Sequence, residues 1–174
     1  MKLASLFAFS MFLACGRGEG TPAAKVGSAE HRQQSEPMVE ENKRIALREE
    51  LDIDEWEKRQ ELVMERTGTG VRLKLIHDSA GVNARAGQLA RIRFSVSLIS
   101  GQQCYSSSPG DAEEFKIEED HVESGLHEAI QRMSLGDSAV IVLPSHRAYG
   151  LLGDQSKIPM RSTVIYHVGL VGLR

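Results

Sequence analysis

The stretch 122–166 constrains the fold of this chain more than any other segment. It opens with apolar residues at Leu126, Ile130 and Met133, the spacing of one face of a short helix. After a glycine, an apolar run at 139–143 ends at a proline and has the length of a strand with both faces covered. A glycine-containing loop follows, and a second apolar strand closes the stretch. The pattern predicts one short helix packed against two strands.

Upstream of this stretch, alternating apolar and polar residues predict strands at 71–76 and 90–98. Residues 100–102 form a turn into a further strand that begins near Gln103, and residues 114–118 form another short strand. Strands joined by turns of this kind run antiparallel. The expected fold class is therefore α+β, an antiparallel β-sheet wrapped around one short α-helix and preceded by an N-terminal helical segment.

The first residues, 1–14, read as a secretory leader, since a single lysine precedes an apolar run too short to span a bilayer as a helix. The residues around Cys15 resemble a bacterial lipobox, in which a cysteine after the apolar run becomes acylated. That resemblance implies a lipid anchor at Cys15, and several acyl chains would hold the protein firmly at a membrane. The alternative is a plain secreted protein in which Cys15 is incidental.

Residues 15–37 are rich in small and polar residues and predict a flexible tether. The composition of 38–66 is strongly helical. Within it, Asp52 suits an N-cap, and the apolar residues beside it, Leu51 and Trp56, suit a hydrophobic staple. The pattern therefore predicts two helices with a joint near Asp52. The apolar side chains expected to cover the following domain, or a twin subunit, are Trp56, Leu62 and Val63.

Several functions are disfavoured by composition and spacing. The net charge of −3 comes without a lysine or arginine block, which argues against nucleic-acid binding. The six histidines lack the spacing of metal ligands and are expected at the surface, so neither a metal nor a cofactor is expected. Cys104 is expected to be buried and inert, or to pair with Cys15 if that residue is not acylated.

A family resemblance rests on the order and spacing of a set of residues over about fifty positions. The set is Gly125-Leu126, Met133, Gly136, the apolar run to Pro144, Ala148-Tyr149-Gly150, Ile158-Pro159 and the strand from Thr163. This order resembles the FKBP family of peptidyl-prolyl isomerases and implies an FKBP-like domain over 67–174. A narrower pattern adds Tyr105-Ser106, Gly153-Asp154 and Lys157. It resembles the pattern of the gliding-motility-associated lipoprotein branch of that family.

The chemistry of such an enzyme breaks no covalent bond. The barrier is the loss of amide resonance on twisting, about 18–20 kcal/mol for an ordinary peptide bond. A twisted amide is less dipolar than a planar one, so a dry pocket lined by aromatic residues suits the transition state better than water does. The site therefore needs a concave apolar surface and a few hydrogen-bond donors, and it needs no nucleophile.

The resemblance also implies which residues form the pocket. It places the catalytic side chains at Phe94, Tyr105, Tyr149 and Tyr166. It places the substrate-binding residues at Phe115, Val122, Glu123, Leu126 and Ile158. The main departure is Cys104-Tyr105, where active members carry Phe-Asp. Either the pocket has kept only a binding role, or Tyr105 supplies a replacement hydroxyl and aromatic edge.

The expected function is a peptidyl-prolyl isomerase and folding factor of the bacterial cell envelope. It would face the periplasm or the cell exterior, held to the membrane through its N-terminal lipid. Its partners would be Xaa-Pro segments of exported proteins, with a homodimer through 38–66 as a further expectation. Two alternatives stay open. One is a catalytically degenerate FKBP-fold binding module, and the other is a structural subunit of an envelope complex.

Overall fold

The computed structural model describes residues 28–108 and 110–174, with side chains described from residue 38 onwards. The predicted leader and Cys15 lie outside the described residues, as does the first part of the predicted tether. Residues Glu40–Arg174 form one compact unit. In chain order the elements are α1 (Ser28–Arg59), β1 (Glu65–Arg66), β2 (Arg72–His77), β3 (Leu89–Leu98), β4 (Gln103–Ser106), β5 (Glu113–Lys116), α2 (Ser124–Ile130), β6 (Ser138–Leu143), a 3₁₀ turn (Ser145–Arg147) and β7 (Val164–Leu173).

All strand pairs of the sheet are antiparallel. The strand order is β1-β2-β6-β7-β3-β4, and β5 pairs with β3. The last strand of the chain therefore lies in the middle of the sheet, between β6 and β3. The short helix α2 packs on one face of this sheet through Leu126, Ala129 and Ile130, all of which are buried. The predicted α+β fold, with an antiparallel sheet, one short helix and a preceding helical segment, is confirmed.

Strand β6 has both faces covered, as its apolar run predicts. Ala139, Ile141 and Leu143 belong to the main core, which also contains α2. The intervening Val140 and Val142 point to the opposite face, where they pack with residues of α1. An uninterrupted apolar strand is therefore needed here because helices cover it from both sides.

The predicted joint near Asp52 is wrong, because α1 is one continuous helix. Ile53 and Trp56 lie three residues apart on one helical face and are both buried against the sheet. A new helix beginning at Asp52 would give up this shared face. Of the other residues expected to cover the domain, Leu62 packs at the edge of the same cluster, whereas Val63 is exposed.

The limits of α1 also differ from the expected helical segment. The helix begins at Ser28, inside the predicted tether, where alanine, glutamate, glutamine and arginine have high intrinsic helix propensity. It ends at Arg59, and Glu65–Arg66 then pairs with β2 as a short strand. Composition alone cannot show this change, because charged residues suit both a helix surface and an exposed edge strand.

Polar contacts fix the second half of α1 to the sheet and to the loop before β7. The Glu49 carboxylate accepts hydrogen bonds from the Ser145 N–H at 2.6 Å, the Ser145 hydroxyl at 2.9 Å and the Thr163 hydroxyl at 2.7 Å. Arg72, whose side chain is almost fully buried, pairs with Asp54 and Glu57, each at 2.5 Å. These contacts make the second half of α1 an integral part of the folded unit.

Candidate functional site

A cavity of about 480 Å³ opens between the start of α2, strands β3 to β5, strand β7 and the loop before it. All three tyrosines of the chain line it. Its lining also includes residues that sequence analysis did not assign to a pocket. The complete lining is Ile92, Phe94, Val96, Tyr105, Ser106, Glu113, Glu114, Phe115, His121, Val122, Glu123, Leu126, Tyr149, Asp154 and Tyr166.

Aromatic side chains from three strands form the walls. Phe94 on β3 and Tyr166 on β7 have ring centroids 6.0 Å apart, with the rings tilted by 40°. They meet because β3 and β7 pair in a register that sets Val96 opposite Tyr166. Phe115 on β5 makes an edge contact with His127, at 5.5 Å between centroids. Each of the three aromatic rings is therefore carried by a paired strand of the sheet.

His127 corrects the expectation that the histidines lie at the surface, because its side chain is buried. Its Nδ1 accepts a hydrogen bond from the Glu118 N–H at 3.0 Å, so its Nε2 is the atom that donates to the Asp120 carbonyl at 3.1 Å. Both ring nitrogens are thereby satisfied, and the ring supports the Phe115 wall. Sequence spacing could not reveal this, since its partners are backbone groups.

The start of α2 supplies the floor and a backbone donor. Leu126 is buried at the floor, and Val122 lies half-buried at the edge. Glu123 is the N-cap in an extended conformation, and its carbonyl accepts the Leu126 N–H at 2.8 Å. Within the part of the chain that the structure describes, the Glu123 N–H has no acceptor. It is therefore available to a carbonyl group placed in the cavity.

Two tyrosine hydroxyls lie close to the Glu123 carboxylate. Burial raises the pKa of Tyr149, and the negative charge of nearby Glu123 raises it further. Burial also raises the pKa of Tyr166, with the negative charge of Glu123 as the next cause. Both hydroxyls therefore stay protonated at neutral pH. Tyr149 is half-buried and can donate to a ligand, whereas Tyr166 is almost fully buried and acts as wall.

Tyr105 lies at the mouth of the cavity, and its hydroxyl donates a hydrogen bond to the Asp154 carboxylate. In the sequence, Asp154 belongs to the residues that carry the narrower family resemblance, with no predicted role in the pocket. The only signal in the sequence is an aspartate directly after a loop glycine, which is a common turn pattern. The cavity thus holds a carboxylate beside Tyr105, but it comes from a different segment from the one expected.

Ile158 is buried and is not among the residues that line the cavity, so its substrate-binding role stays a prediction. Its N–H donates to the Asp154 carboxylate at 2.7 Å, and its side chain belongs to the main core. Its role in the structure is to anchor the loop. The other predicted site residues, Phe94, Tyr105, Phe115, Val122, Glu123, Leu126, Tyr149 and Tyr166, all line one cavity.

Cys104 is buried and free, and burial raises the pKa of its thiol. A buried thiol with a raised pKa carries little thiolate at neutral pH and is a poor nucleophile. Among residues 28–108 and 110–174, no group of histidine, cysteine, aspartate and glutamate has the arrangement of a metal site. No helix within those same ranges has the length and apolar character needed to cross a bilayer.

The titration of Asp154 provides a first test of this geometry. Partial burial acts to raise the pKa of Asp154, but hydrogen bonds from Tyr105 and from backbone N–H groups outweigh it and lower the pKa. A depressed carboxyl pKa means that the interaction is present above the ordinary carboxyl range and is lost as pH falls through the lowered value. Tyr105→Phe should therefore shift the Asp154 carboxyl titration upward in ¹³C NMR. An unchanged titration would contradict the hydrogen bond.

Comparison with known proteins gives consistent matches. The family model described as FKBP-type peptidyl-prolyl cis-trans isomerase matches residues 81–171. FK506-binding protein 1A of Aspergillus fumigatus is 32% identical over 107 residues, which cover 60% of this chain and 95% of that protein. FK506-binding protein 2 of Dictyostelium discoideum is 29% identical over 104 residues, covering 59% of this chain and 78% of that protein.

A solved structure supports the fold. The crystal structure of FkpA from Escherichia coli matches with a TM-score of 0.64 and 23% identity, covering 83% of this chain and 68% of that chain. The family match spans more than half of the sequence and contains all of the residues that line the cavity. Its relatives include an Escherichia coli protein named as an FKBP-type 22 kDa isomerase, 28% identical over 106 residues that cover 60% of this chain and 50% of that protein. The chain therefore belongs to the FKBP-type peptidyl-prolyl cis-trans isomerase family, and these homologues support isomerase activity.

Proposed function

We propose that this protein isomerises Xaa-Pro bonds and serves as a folding factor of the bacterial cell envelope. The observation that carries the isomerase proposal is the cavity itself. It combines aromatic walls from Phe94, Phe115 and Tyr166 with two donors, the Tyr149 hydroxyl and the Glu123 N–H. A proline ring fits an aromatic cavity of this kind, and the donors suit the carbonyl groups that flank the proline.

Catalysis would follow from differential binding of the twisted amide. In the cavity the amide loses contact with water and lies against apolar walls. This loss of hydration costs less free energy for the twisted amide, which is less dipolar, than for the planar ground state. The Tyr149 hydroxyl and the Glu123 N–H would hold neighbouring carbonyl groups while the Xaa-Pro bond rotates. No proton transfer is required, so the raised pKa of Tyr149 serves to keep its hydroxyl as a donor.

The envelope location is proposed from the sequence. The leader at 1–14 and the lipobox-like residues around Cys15 favour export and acylation. The clients would then be Xaa-Pro segments of exported proteins, which fold slowly when a proline must isomerise. A homodimer through 38–66 is part of the same proposal, supported by Leu47 and Leu51, which α1 leaves exposed.

Cis–trans exchange of a short Xaa-Pro peptide, measured by NMR with the full chain, tests the proposal. The wild type should accelerate exchange. Tyr149→Phe should weaken peptide binding about five-fold, because one hydrogen bond to ligand contributes about 1 kcal/mol. The unfolding midpoint of that variant should stay close to that of the wild type. Equal losses of stability and binding would contradict the assignment of Tyr149 as a ligand-binding donor.

The second candidate is a binding module that has lost the chemistry. One observation favours it. The Tyr105 hydroxyl donates its proton to Asp154, so it is not a free group that could take the place of the aspartate that active family members carry at this position. This candidate predicts peptide resonances that move on titration without faster exchange. A structural subunit predicts neither effect and instead a stable protein complex through 38–66.

A further inference from the structure

The loop at 148–163, here called the pocket loop, joins the 3₁₀ turn to β7 and carries Tyr149 and Asp154 into the cavity. Its base is closed by a hydrogen bond from the Arg161 N–H to the Gly150 carbonyl at 2.9 Å. Its tip is closed by one from the Asp154 N–H to the Ile158 carbonyl at 3.1 Å. The loop is thus folded on itself, and its tip needs an attachment to the sheet to stay in place.

That attachment is made by β4. Tyr105 donates its hydroxyl proton to Asp154, and the Lys157 ammonium donates to the Cys104 carbonyl at 2.8 Å. The same ammonium lies 4.8 Å from the centroid of the Tyr105 ring, within range of a cation–π contact. The Cys104 thiol points back to the Lys157 carbonyl at 3.7 Å. Two consecutive residues of β4 therefore hold two residues of the loop tip, Asp154 and Lys157.

Asp154 links this attachment to the shape of the tip. One oxygen of its carboxylate accepts from Tyr105, and the other accepts the N–H groups of Ser156 at 2.9 Å and Ile158 at 2.7 Å. Within this turn Gln155 has φ of 60°, a left-handed conformation that is costly for a residue with a side chain. Such a conformation persists when surrounding contacts hold it, and Asp154 supplies those contacts.

We propose that Tyr105 is a positioning residue whose hydroxyl latches Asp154 and holds the pocket loop closed over the cavity. This inference rests on the proposed function, since the closed loop is the form that would present Tyr149 to a prolyl peptide. A tyrosine hydroxyl has one proton, and here that proton is donated to Asp154. Tyr105 therefore acts through the loop and does not donate to the carbonyl of the substrate.

A latch and a catalytic hydroxyl have different kinetic signatures. Suppose that peptide binds only when the loop is closed. If the loop is open part of the time, the apparent affinity for peptide falls in proportion to the fraction of molecules with a closed loop. Bound peptide restores the closed form, so the turnover of the complex is unaffected. Tyr105→Phe, which keeps the ring over Lys157, should therefore raise KM about three- to ten-fold with kcat unchanged. A hydroxyl that stabilised the twisted amide would instead lower kcat.

The partner variant makes the test specific. Asp154→Asn should also raise KM. The double variant Tyr105→Phe/Asp154→Asn should have a KM no higher than that of the more affected single variant, because both changes remove the same Tyr105–Asp154 hydrogen bond. Additive effects of the two changes would overturn the latch, as would a loss in kcat for Tyr105→Phe with KM unchanged.

Amide hydrogen exchange of the free protein separates this inference from the proposed function. Residues 154–158 should exchange faster in Tyr105→Phe than in the wild type, while the amides of β6 and β7 stay unchanged. This comparison needs no substrate, so it decides the latch even if the wild type neither binds nor isomerises a prolyl peptide. Equal exchange of the loop tip in both proteins would overturn the latch.

Discussion

Replacing Trp56 with alanine is expected to lower the free energy of unfolding by about 3–5 kcal/mol. The Trp56 side chain is only 8% exposed, and it packs with Ile53 against the face of the sheet that α2 does not cover. Its removal leaves a cavity over Val140, Val142 and Ile165, and β6 and β7 then expose one apolar face to water. Urea denaturation of the wild type and the variant measures the change.

A variant on the same helix controls for helix propensity and handling. Lys58 is exposed on α1, so Lys58→Ala should change the free energy of unfolding by no more than about 0.5 kcal/mol. Similar small effects of both substitutions would show that α1 does not cover the sheet.

Gly153→Ala should be the most damaging single change in the pocket loop. The added Cβ would lie 2.2 Å from the carbonyl oxygen of Ile158 and 2.7 Å from the carbonyl carbon of Pro159, and both atoms belong to the backbone. Gly153 also has φ of 66°, which an alanine adopts only at a cost. The turn must therefore open, with an expected loss of about 2–4 kcal/mol in the free energy of unfolding. Peptide affinity should fall by about ten-fold or more, because the displaced tip carries Asp154.

Gly150 is a matched control within the same loop. Its φ is 64°, almost the same as that of Gly153, but nothing lies within 4 Å of an added Cβ. Gly150→Ala should therefore show only the conformational cost, about 1–2 kcal/mol, with a small effect on peptide affinity. Thermal unfolding and peptide titration of the two variants separate the effect of the steric clash at Gly153 from the cost of the positive φ that both positions share. Equal effects would contradict the tight turn described at Gly153.

The sheet and α2 could be predicted from the sequence because their signals are local. The alternation that ends in Leu98 and the spacing of Leu126 and Ile130 each fall within one element, so neighbouring residues reveal which face is buried. The family resemblance selected nine pocket residues, and eight of them line one cavity. Periodicity cannot show which strands lie side by side, and the strand order was not predicted.

Features that depend on distant partners could not be predicted. The continuity of α1 through Asp52 depends on Val140 and Val142, which lie almost ninety residues further along the chain. The Ile158 side chain lies in the main core and its N–H donates to Asp154, and no hydropathy pattern records that bond. Acylation of Cys15, dimerisation through 38–66 and the narrower family branch stay predictions.

The central position of β7 has a consequence for how the chain folds. Strands β2 and β6 form one half of the sheet and β3, β4 and β5 form the other, and in the described residues β7 is the strand that pairs with both halves. Synthesis runs from the N-terminus, so the two halves are complete before the strand that joins them. A nascent chain that lacks β7 has no strand to join the two halves, so the long-range contacts of the sheet form together, late and slowly.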